Sequence, residues 1–164
     1  MDAEEQGQDI VVQIAKNFKN INVDLSKLKK LVKAICNRFT QCDIHNMQYE
    51  ISIAIVDDTE IRKVSKQFLN RNSTTDCLSF DLSDDNTPWP KSFELIVNAE
   101  MAVKEANLRG HSSEAELALY ITHGLLHNFG FDDSQQDRAK KMHDTEDEIL
   151  QQQGFGLVYN KADS

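Results

Sequence analysis

Cysteine, proline and tryptophan are scarce in this sequence. Its 164 residues include three cysteines, two prolines and one tryptophan. Cys36, Cys42 and Cys77 are odd in number and lack the C-x-x-C spacing, which argues against the disulfide framework of a secreted domain and fits a reducing compartment. No internal repeat or low-complexity segment is present. We therefore expect an ordinary globular chain whose stability comes from a hydrophobic core.

Long hydrophobic runs are also missing. No apolar stretch approaches the roughly 20 residues that a helix needs to cross a bilayer. The first residues, MDAEEQGQD, are acidic and polar, unlike a signal or transit peptide. These absences predict a cytoplasmic protein that does not associate with membranes.

Positive charge is in deficit. Lysine and arginine total 18 against 27 aspartates and glutamates, which gives a net charge of −9. This balance disfavours a protein that coats nucleic acid by bulk charge, and we expect no DNA partner. A local basic surface remains possible, because positive residues are more frequent in the first forty positions. They are Lys16, Lys19, Lys27, Lys29, Lys30, Lys33 and Arg38. The simpler interpretation is a solvated lysine face on one helix.

The length and the 40% hydrophobic content suit one core and are too small for two ordinary domains. We predict a single domain at 9–155, a disordered N-terminus at 1–8 and a tail at 156–164. Hydrophobic periodicity predicts the elements. Strands are expected at 10–15, 49–58, 76–82 and 93–98, and helices at 24–39, 59–70, 99–108, 113–129 and 134–152. The predicted fold is α/β (α+β), with a single mixed four-stranded sheet, about five helices and a zincin-like histidine helix at the centre.

Helix capping patterns support these boundaries. Asp24 or Ser26 can cap the first helix, and Asp58 or Thr59 the second. Ser113 and Glu116 fit a Ser-x-x-Glu capping box at the start of the fourth helix, and Gly130 fits the glycine that follows a helix end.

The stretch THGLLHNFGFDD places two histidines in a strongly apolar helix. His123 and His127 are four residues apart, so both imidazoles lie on one face about one turn apart. Buried imidazoles need hydrogen-bond partners, and two on one face need two partners or one shared metal ion. Two unrelated core histidines with separate partners are the simpler alternative.

The residues after His127 favour the metal. Gly130 ends the helix, and the reversing chain could return Asp132 or Asp133 toward the imidazoles. Two histidines from one helix, a third ligand from beyond a turn and an open position for water are typical of catalytic zinc sites. This pattern predicts one Zn²⁺ per chain, held by His123, His127 and one of these two carboxylates. Gly124 occupies the position of the glutamate in H-E-x-x-H, which disfavours a peptidase.

Three segments carry a family resemblance. HGLLHNFGFDD resembles the H-G-x-L-H-x-x-G-[FY]-D-H signature of the YbeY family, metal-dependent endoribonucleases of ribosomal RNA maturation. TTDCLSF resembles that family's PTDVLSF strand, and MHDTEDEIL resembles its acidic final helix. The resemblance covers roughly residues 9–155. It implies a single-strand-specific endoribonuclease acting in rRNA processing and ribosome quality control, with ribosomal RNA and the small ribosomal subunit as partners.

The sequence departs from the family pattern at three places. The family's third metal-binding histidine falls at Asp133, so the resemblance implies that His123, His127 and Asp133 hold the Zn²⁺, and a carboxylate remains a plausible zinc ligand. Its arginine falls at Leu69, which cannot bind phosphate, and Arg71 stands two residues further on. Its Gly-Asp pair falls at Phe93 and Glu94. Under this resemblance His123 and Arg71 are the catalytic candidates, with Arg71 binding the scissile phosphate. An exposed loop arginine is the alternative.

Other polar residues allow two interpretations each. His111 and His143 could replace the third ligand, but surface histidines are the simpler interpretation. Glu116 could accept a hydrogen bond from a ligand imidazole, or serve only in the capping box. Thr75 and Ser79 could contact substrate, or only complete strand hydrogen bonds; Asp76 could be a turn residue.

Two other functions remain open. One is a family member that binds metal but has lost cleavage and acts as a ribosome-associated binding protein. The other is a metallohydrolase acting on a different small ester or amide. No uncovered apolar stripe indicates an oligomeric state.

Overall fold

The fold is built on one four-stranded mixed sheet. The computed structural model describes residues 8–40, 47–87, 89–156 and 158–159. The strands are β1 (Gln8–Lys16), β2 (Met47–Val56), β3 (Cys77–Asp81) and β4 (Lys91–Asn98). Their order is β1-β2-β4-β3, with β2 parallel to both β1 and β4, and β3 antiparallel to β4. Residues 1–7, Cys42 and residues 160–164 lie outside the described residues, and so do the predictions made for them.

Five helices accompany the sheet in the described part of the chain. They are α1 (Leu25–Arg38), α2 (Asp58–Leu69), α3 (Ala99–Arg109), α4 (Ser113–Asn128) and α5 (Gln136–Gln152). The predicted mixed sheet with about five helices is therefore confirmed. None of the helices in the described ranges combines the length and apolarity needed to cross a membrane.

The main core lies between the sheet and the helices α1 and α4. Ile51, Ile53 and Ile55 alternate along β2 and are at most 2% exposed, because every second side chain of a strand points to the same face. Leu28 of α1 and Leu125 of α4 belong to the same buried cluster. A second, smaller cluster lies under α2 and contains Val56, Ile61 and Leu78.

Helix α4 is buried along most of its length, as its apolar sequence predicts. Gly124 sets its distance from the sheet. A Cβ at this position would lie 2.7 Å from the Sγ atom of Cys77 and 3.1 Å from Cδ2 of Leu95. The absence of a side chain at Gly124 thus lets the histidine helix lie directly on β3 and β4.

Two predicted helix starts, those of α2 and α5, and the predicted cap of α4 are wrong by one or two residues. Asp57 caps α2, since its carboxylate accepts from the Glu60 amide at 2.8 Å. Ser112 caps α4, since its hydroxyl accepts from the Ala115 amide at 3.0 Å. The predicted capping box at Ser113 and Glu116 is therefore not formed. Helix α5 begins at Gln136 rather than at Ser134, whose amide and hydroxyl both donate to Asp132.

Candidate metal centre

The two histidines of the motif face each other in the last turns of α4. The Nε2 atoms of His123 and His127 are 3.1 Å apart, and the rings are nearly perpendicular, at 87°. This follows from their spacing of four residues on a helix. Both side chains are partly accessible, at 18% and 34%. The pair therefore lies at an edge of the core that a ligand can reach.

The turn after α4 returns a carboxylate to the histidines. Gly130 adopts a positive φ of 95°, and the Phe131 amide donates back to the Leu126 carbonyl at 2.9 Å. This reversal agrees with the predicted role of Gly130 after the helix end. Asp133 then lies with its Oδ2 atom 3.5 Å from His123 Nε2 and 3.8 Å from His127 Nε2.

The three atoms are spaced as a metal site requires. A tetrahedral zinc ion with bonds of about 2.0–2.2 Å has ligand–ligand edges of roughly 3.3–3.6 Å. The observed separations of 3.1, 3.5 and 3.8 Å bracket this range. His123, His127 and Asp133 can therefore hold one ion and leave a fourth position open.

The far sides of both imidazoles are occupied by acceptors. Nδ1 of His123 lies 2.9 Å from Oε1 of Glu146, and Nδ1 of His127 lies 3.1 Å from the Phe131 carbonyl oxygen. Each Nδ1 therefore carries the proton of the neutral ring, and each Nε2 directs a lone pair toward the other. Two lone pairs at this distance need a cation between them, either a proton or a metal ion.

Glu146 is the residue of the site that the sequence analysis did not identify. Its side chain is 1% exposed and accepts from His123 on one oxygen and from His143 on the other, at 2.9 and 3.2 Å. The only signal in the sequence was the acidic segment MHDTEDEIL. It contains four carboxylates, and the sequence does not indicate which of them contacts a histidine. A buried carboxylate behind a ligand histidine fixes its ring orientation and increases its basicity.

The pKa of His123 reflects this environment. Burial lowers it, but the hydrogen bond and charge of Glu146 raise it, as do the charges of Asp76 and Asp133. The result is a pKa above the ordinary value of 6.5. Three carboxylates thus favour a positive charge on or beside this imidazole.

His143 is not the surface histidine that was the simpler interpretation. It is 19% exposed, bonds Glu146 and stacks on Tyr159 with ring centroids 3.6 Å apart. The Asp147 carboxylate accepts from the Tyr159 amide, and Arg109 donates to the Val158 and Tyr159 carbonyls. Residues 158 and 159, beyond the predicted boundary at residue 155, therefore pack against the back of the site.

The interpretations of His111 and Glu116 also need correction. His111 is only 7% exposed and lies 2.5 Å from the Glu116 carboxylate, which also pairs with Arg109. Glu116 therefore bonds neither ligand histidine, and Glu146 takes the role considered for it. His111 belongs to this separate buried network and does not replace the third ligand.

The segment before β3 is fixed by a polar network. The carboxylate of Asp58 accepts from the Thr74 hydroxyl and, at 3.0 Å, from the Asn98 amide group. Asn98 is fully buried and also donates to the Thr75 carbonyl. Asp76, two residues beyond Thr74, is close enough for its charge to raise the pKa of His123. Cys77, which follows Asp76, lies against Gly124, the neighbour of His123, so the end of this TTD segment (74–76) lies near the candidate metal centre.

Arg71 precedes this segment and is exposed. Its amide donates to the Ser65 carbonyl at 3.3 Å, and in the described part of the chain no ion pair involves its guanidinium. Its role in binding phosphate stays a prediction. The departures at Leu69 and Phe93 have different surroundings. Leu69 is 42% exposed at the end of α2, whereas Phe93 is 3% exposed and packs edge-on against Phe129.

Comparisons with known proteins point to one family. The family model described as Endoribonuclease YbeY matches residues 13–154. Relatives named Endoribonuclease YbeY include one from Macrococcus caseolyticus, 30% identical over 144 residues that cover 84% of this chain and 92% of the relative. Another, from Shouchella clausii, is 28% identical over 142 residues, which cover 80% of this chain and 89% of the relative.

A solved structure shares the fold. The solution structure of a Thermotoga maritima protein superposes with a TM-score of 0.53 at 21% identity, covering 87% of this chain and 91% of that one. Because the family model spans most of the chain, this protein belongs to the YbeY endoribonuclease family, as its histidine motif predicted.

Proposed function

We propose that this protein is a metal-dependent endoribonuclease that cuts single-stranded RNA. One Zn²⁺ per chain binds His123, His127 and Asp133. The observation that carries the proposal is the convergence of two imidazole lone pairs and one carboxylate oxygen within 3.8 Å of one another. The reaction class, RNA cleavage, is taken from the relatives, which are named as endoribonucleases.

The bound ion would polarise a phosphodiester oxygen and supply a hydroxide near neutral pH. The residues of the chain do the rest. Glu146 keeps the Nδ1 proton of His123 in place, so that Nε2 stays directed at the site. His127 is oriented in the same way by the Phe131 carbonyl. Asp133 adds a negative charge that three imidazoles would lack, which makes the ion a weaker Lewis acid.

The cellular role extends this proposal. The substrate is ribosomal RNA on the small ribosomal subunit, in rRNA maturation and ribosome quality control, and the protein works in the cytoplasm. Support comes from the family assignment and from the absence of a membrane-spanning helix in the described ranges.

Elemental analysis of the purified protein tests the centre. We expect about one zinc per chain in the wild type and much less in Asp133→Ala, because two imidazoles alone bind zinc weakly. The matched control is Asp137→Ala, an exposed acidic residue in the first turn of α5, which should keep its metal. Full zinc occupancy in Asp133→Ala would refute the ligand set.

Cleavage assays then separate the proposed enzyme from its main alternative. Leu69 and Asp133 both depart from the family pattern, which favours a metal-binding relative that has lost activity. Zinc-loaded wild type that cuts single-stranded RNA, with His127→Ala inactive, supports the endoribonuclease. Zinc-loaded wild type that binds ribosomal RNA without cutting it supports the binding protein instead.

A further inference from the structure

A groove of about 320 Å³ lies on the turn that follows α4. It is lined by Phe129, Gly130, Phe131, Asp132, Arg138 and Lys141. Its wall is the turn that connects the ligand His127 to the ligand Asp133. The Phe131 carbonyl, within that wall, accepts from His127 Nδ1. The groove and the centre therefore share this turn, although none of the three candidate ligands lines the groove.

We propose that this groove, the α5 groove, binds the nucleotide next to the scissile phosphate of a single-stranded RNA. The proposal rests on the proposed function and names the surface that holds its substrate. Both cations of the groove project from the first two turns of α5. Arg138 is 61% exposed, and its guanidinium lies 3.1 Å from the carboxylate of Asp132, which precedes the candidate ligand Asp133 in the chain. Lys141 is exposed and, within the described ranges, forms no ion pair.

The aromatic residues of the groove suit a nucleobase. Phe129 and Phe131 are half-buried, and both line the groove. Phe131 is held in place by an edge-on contact with Phe39, with centroids 5.3 Å apart. Single-stranded RNA is recognised by aromatic rings that stack on bases together with cations that contact phosphates, and this groove offers both.

The α5 groove also offers a replacement for the family arginine that is missing at Leu69. The family pattern has an arginine there, and Arg138 supplies a guanidinium from another element. The lysines at the start of α1 are less well placed to bind RNA near the candidate metal centre. Lys27 pairs with Glu114 at the beginning of α4, whereas the histidines lie toward its other end.

Fluorescence anisotropy on the zinc-loaded protein tests the proposal, with a labelled oligouridylate of about eight nucleotides as the probe. Arg138→Gln with Lys141→Gln should weaken binding at least tenfold at low salt. Each lost phosphate contact on a single strand removes about 0.7 from the slope of log K against log salt, so the slope should fall by about 1.4. Phe131→Leu, which keeps an apolar side chain but loses the ring, should weaken binding about tenfold.

Two variants serve as matched controls. Lys140→Gln removes a neighbouring cation of α5 that pairs with Asp144 at 2.7 Å and does not line the groove. Phe68→Leu removes an aromatic side chain that is 64% exposed on α2. Both should bind the probe like the wild type, and all variants should keep one zinc per chain.

Each outcome decides the proposal. Equal losses in the groove variants and in the controls would overturn it, whether or not the wild type cleaves RNA. A wild type that neither binds nor cuts the probe would overturn both the groove and the endoribonuclease. If the wild type binds without cutting and only the groove variants lose binding, the groove is supported and the endoribonuclease fails.

Discussion

At the scale of single residues, Glu146 lies behind the candidate metal centre. Its buried carboxylate accepts hydrogen bonds from both His123 and His143, so in the described part of the chain its negative charge faces these two rings. We expect Glu146→Gln to weaken zinc binding about 10- to 100-fold, because the amide is a poorer acceptor for the His123 N–H. Competition with a chromophoric chelator measures the affinity.

The control for that substitution is Glu148→Gln, on the same helix. Glu148 is 54% exposed and pairs with Arg38 at 3.1 Å. It should keep wild-type affinity, since exposed ion pairs contribute little. Equal zinc affinity in both variants would show that Glu146 does not support the ligand.

Arg71 gives a second prediction at this scale. Arg71→Ala should lower the rate of RNA cleavage about tenfold or more, because one charge-assisted hydrogen bond to phosphate is lost. Zinc content should not change, since the guanidinium contacts none of the ligands in the described residues. A cleavage rate equal to that of the wild type would mean that Arg71 is an ordinary exposed arginine.

At the scale of elements, the close approach of α4 to the sheet depends on Gly124. Gly124→Ala should lower the free energy of unfolding by about 1–2 kcal/mol, since overpacking against Cys77 outweighs the better helix propensity of alanine. Urea denaturation measures the loss. Adding Cys77→Ala should recover most of it, because the new methyl group then has room. If the effects of Gly124→Ala and Cys77→Ala on the free energy of unfolding simply add in the double variant, the strain does not come from contact with Cys77.

The network between α2 and the TTD segment gives a pH-dependent prediction. The pKa of Asp58 lies below its ordinary 3.8, chiefly because the Thr74 hydroxyl donates to it and also because Arg62 does. A lowered pKa means that the ionised form stabilises the fold, and that this contribution is lost as the pH falls below 3.8. Asp58→Asn should therefore be less stable than wild type at about pH 7, with the gap closing at about pH 3. A stability difference between Asp58→Asn and the wild type that does not change with pH would contradict this prediction.

The sequence predicted the elements well and the connections between distant elements poorly. The period of Leu28, Leu31, Val32 and Ile35 specifies a helix whatever surrounds it, and α1 was placed within one residue. Whether Ser112 or Ser113 caps α4 depends on one local hydrogen bond, which either serine could form; in the structure Ser112 forms it. Glu146 lies 23 residues from His123, and only the packing of α5 against α4 brings them together. Local patterns thus predicted three residues that the fold brings together, but not the buried carboxylate behind His123.

At the scale of the whole molecule, the bound ion would link the end of α4 to the turn that follows it, and through Glu146 to α5. A ligand that binds only the folded state stabilises it by about 2.7 kcal/mol at a hundred times its Kd. For a chain of this size, adding zinc to the metal-free protein should raise the melting temperature by roughly 5 to 10 °C. Removing zinc from the loaded protein with a chelator should lower it by the same amount. His127→Ala should show no such shift in differential scanning calorimetry, and an equal shift there would point to binding elsewhere.

The position of the site along the chain bears on how the protein is made. All four strands of the sheet are complete at Asn98, whereas His123, His127, Asp133 and Glu146 come later. Tyr159, which stacks on His143, comes later still. During synthesis from the N-terminus, the sheet can therefore assemble before any ligand has emerged. A nascent chain that stops short of α5 has the sheet and both histidines but lacks the buried carboxylate behind His123, so the proposed metal centre can be completed only when translation of the domain is almost finished.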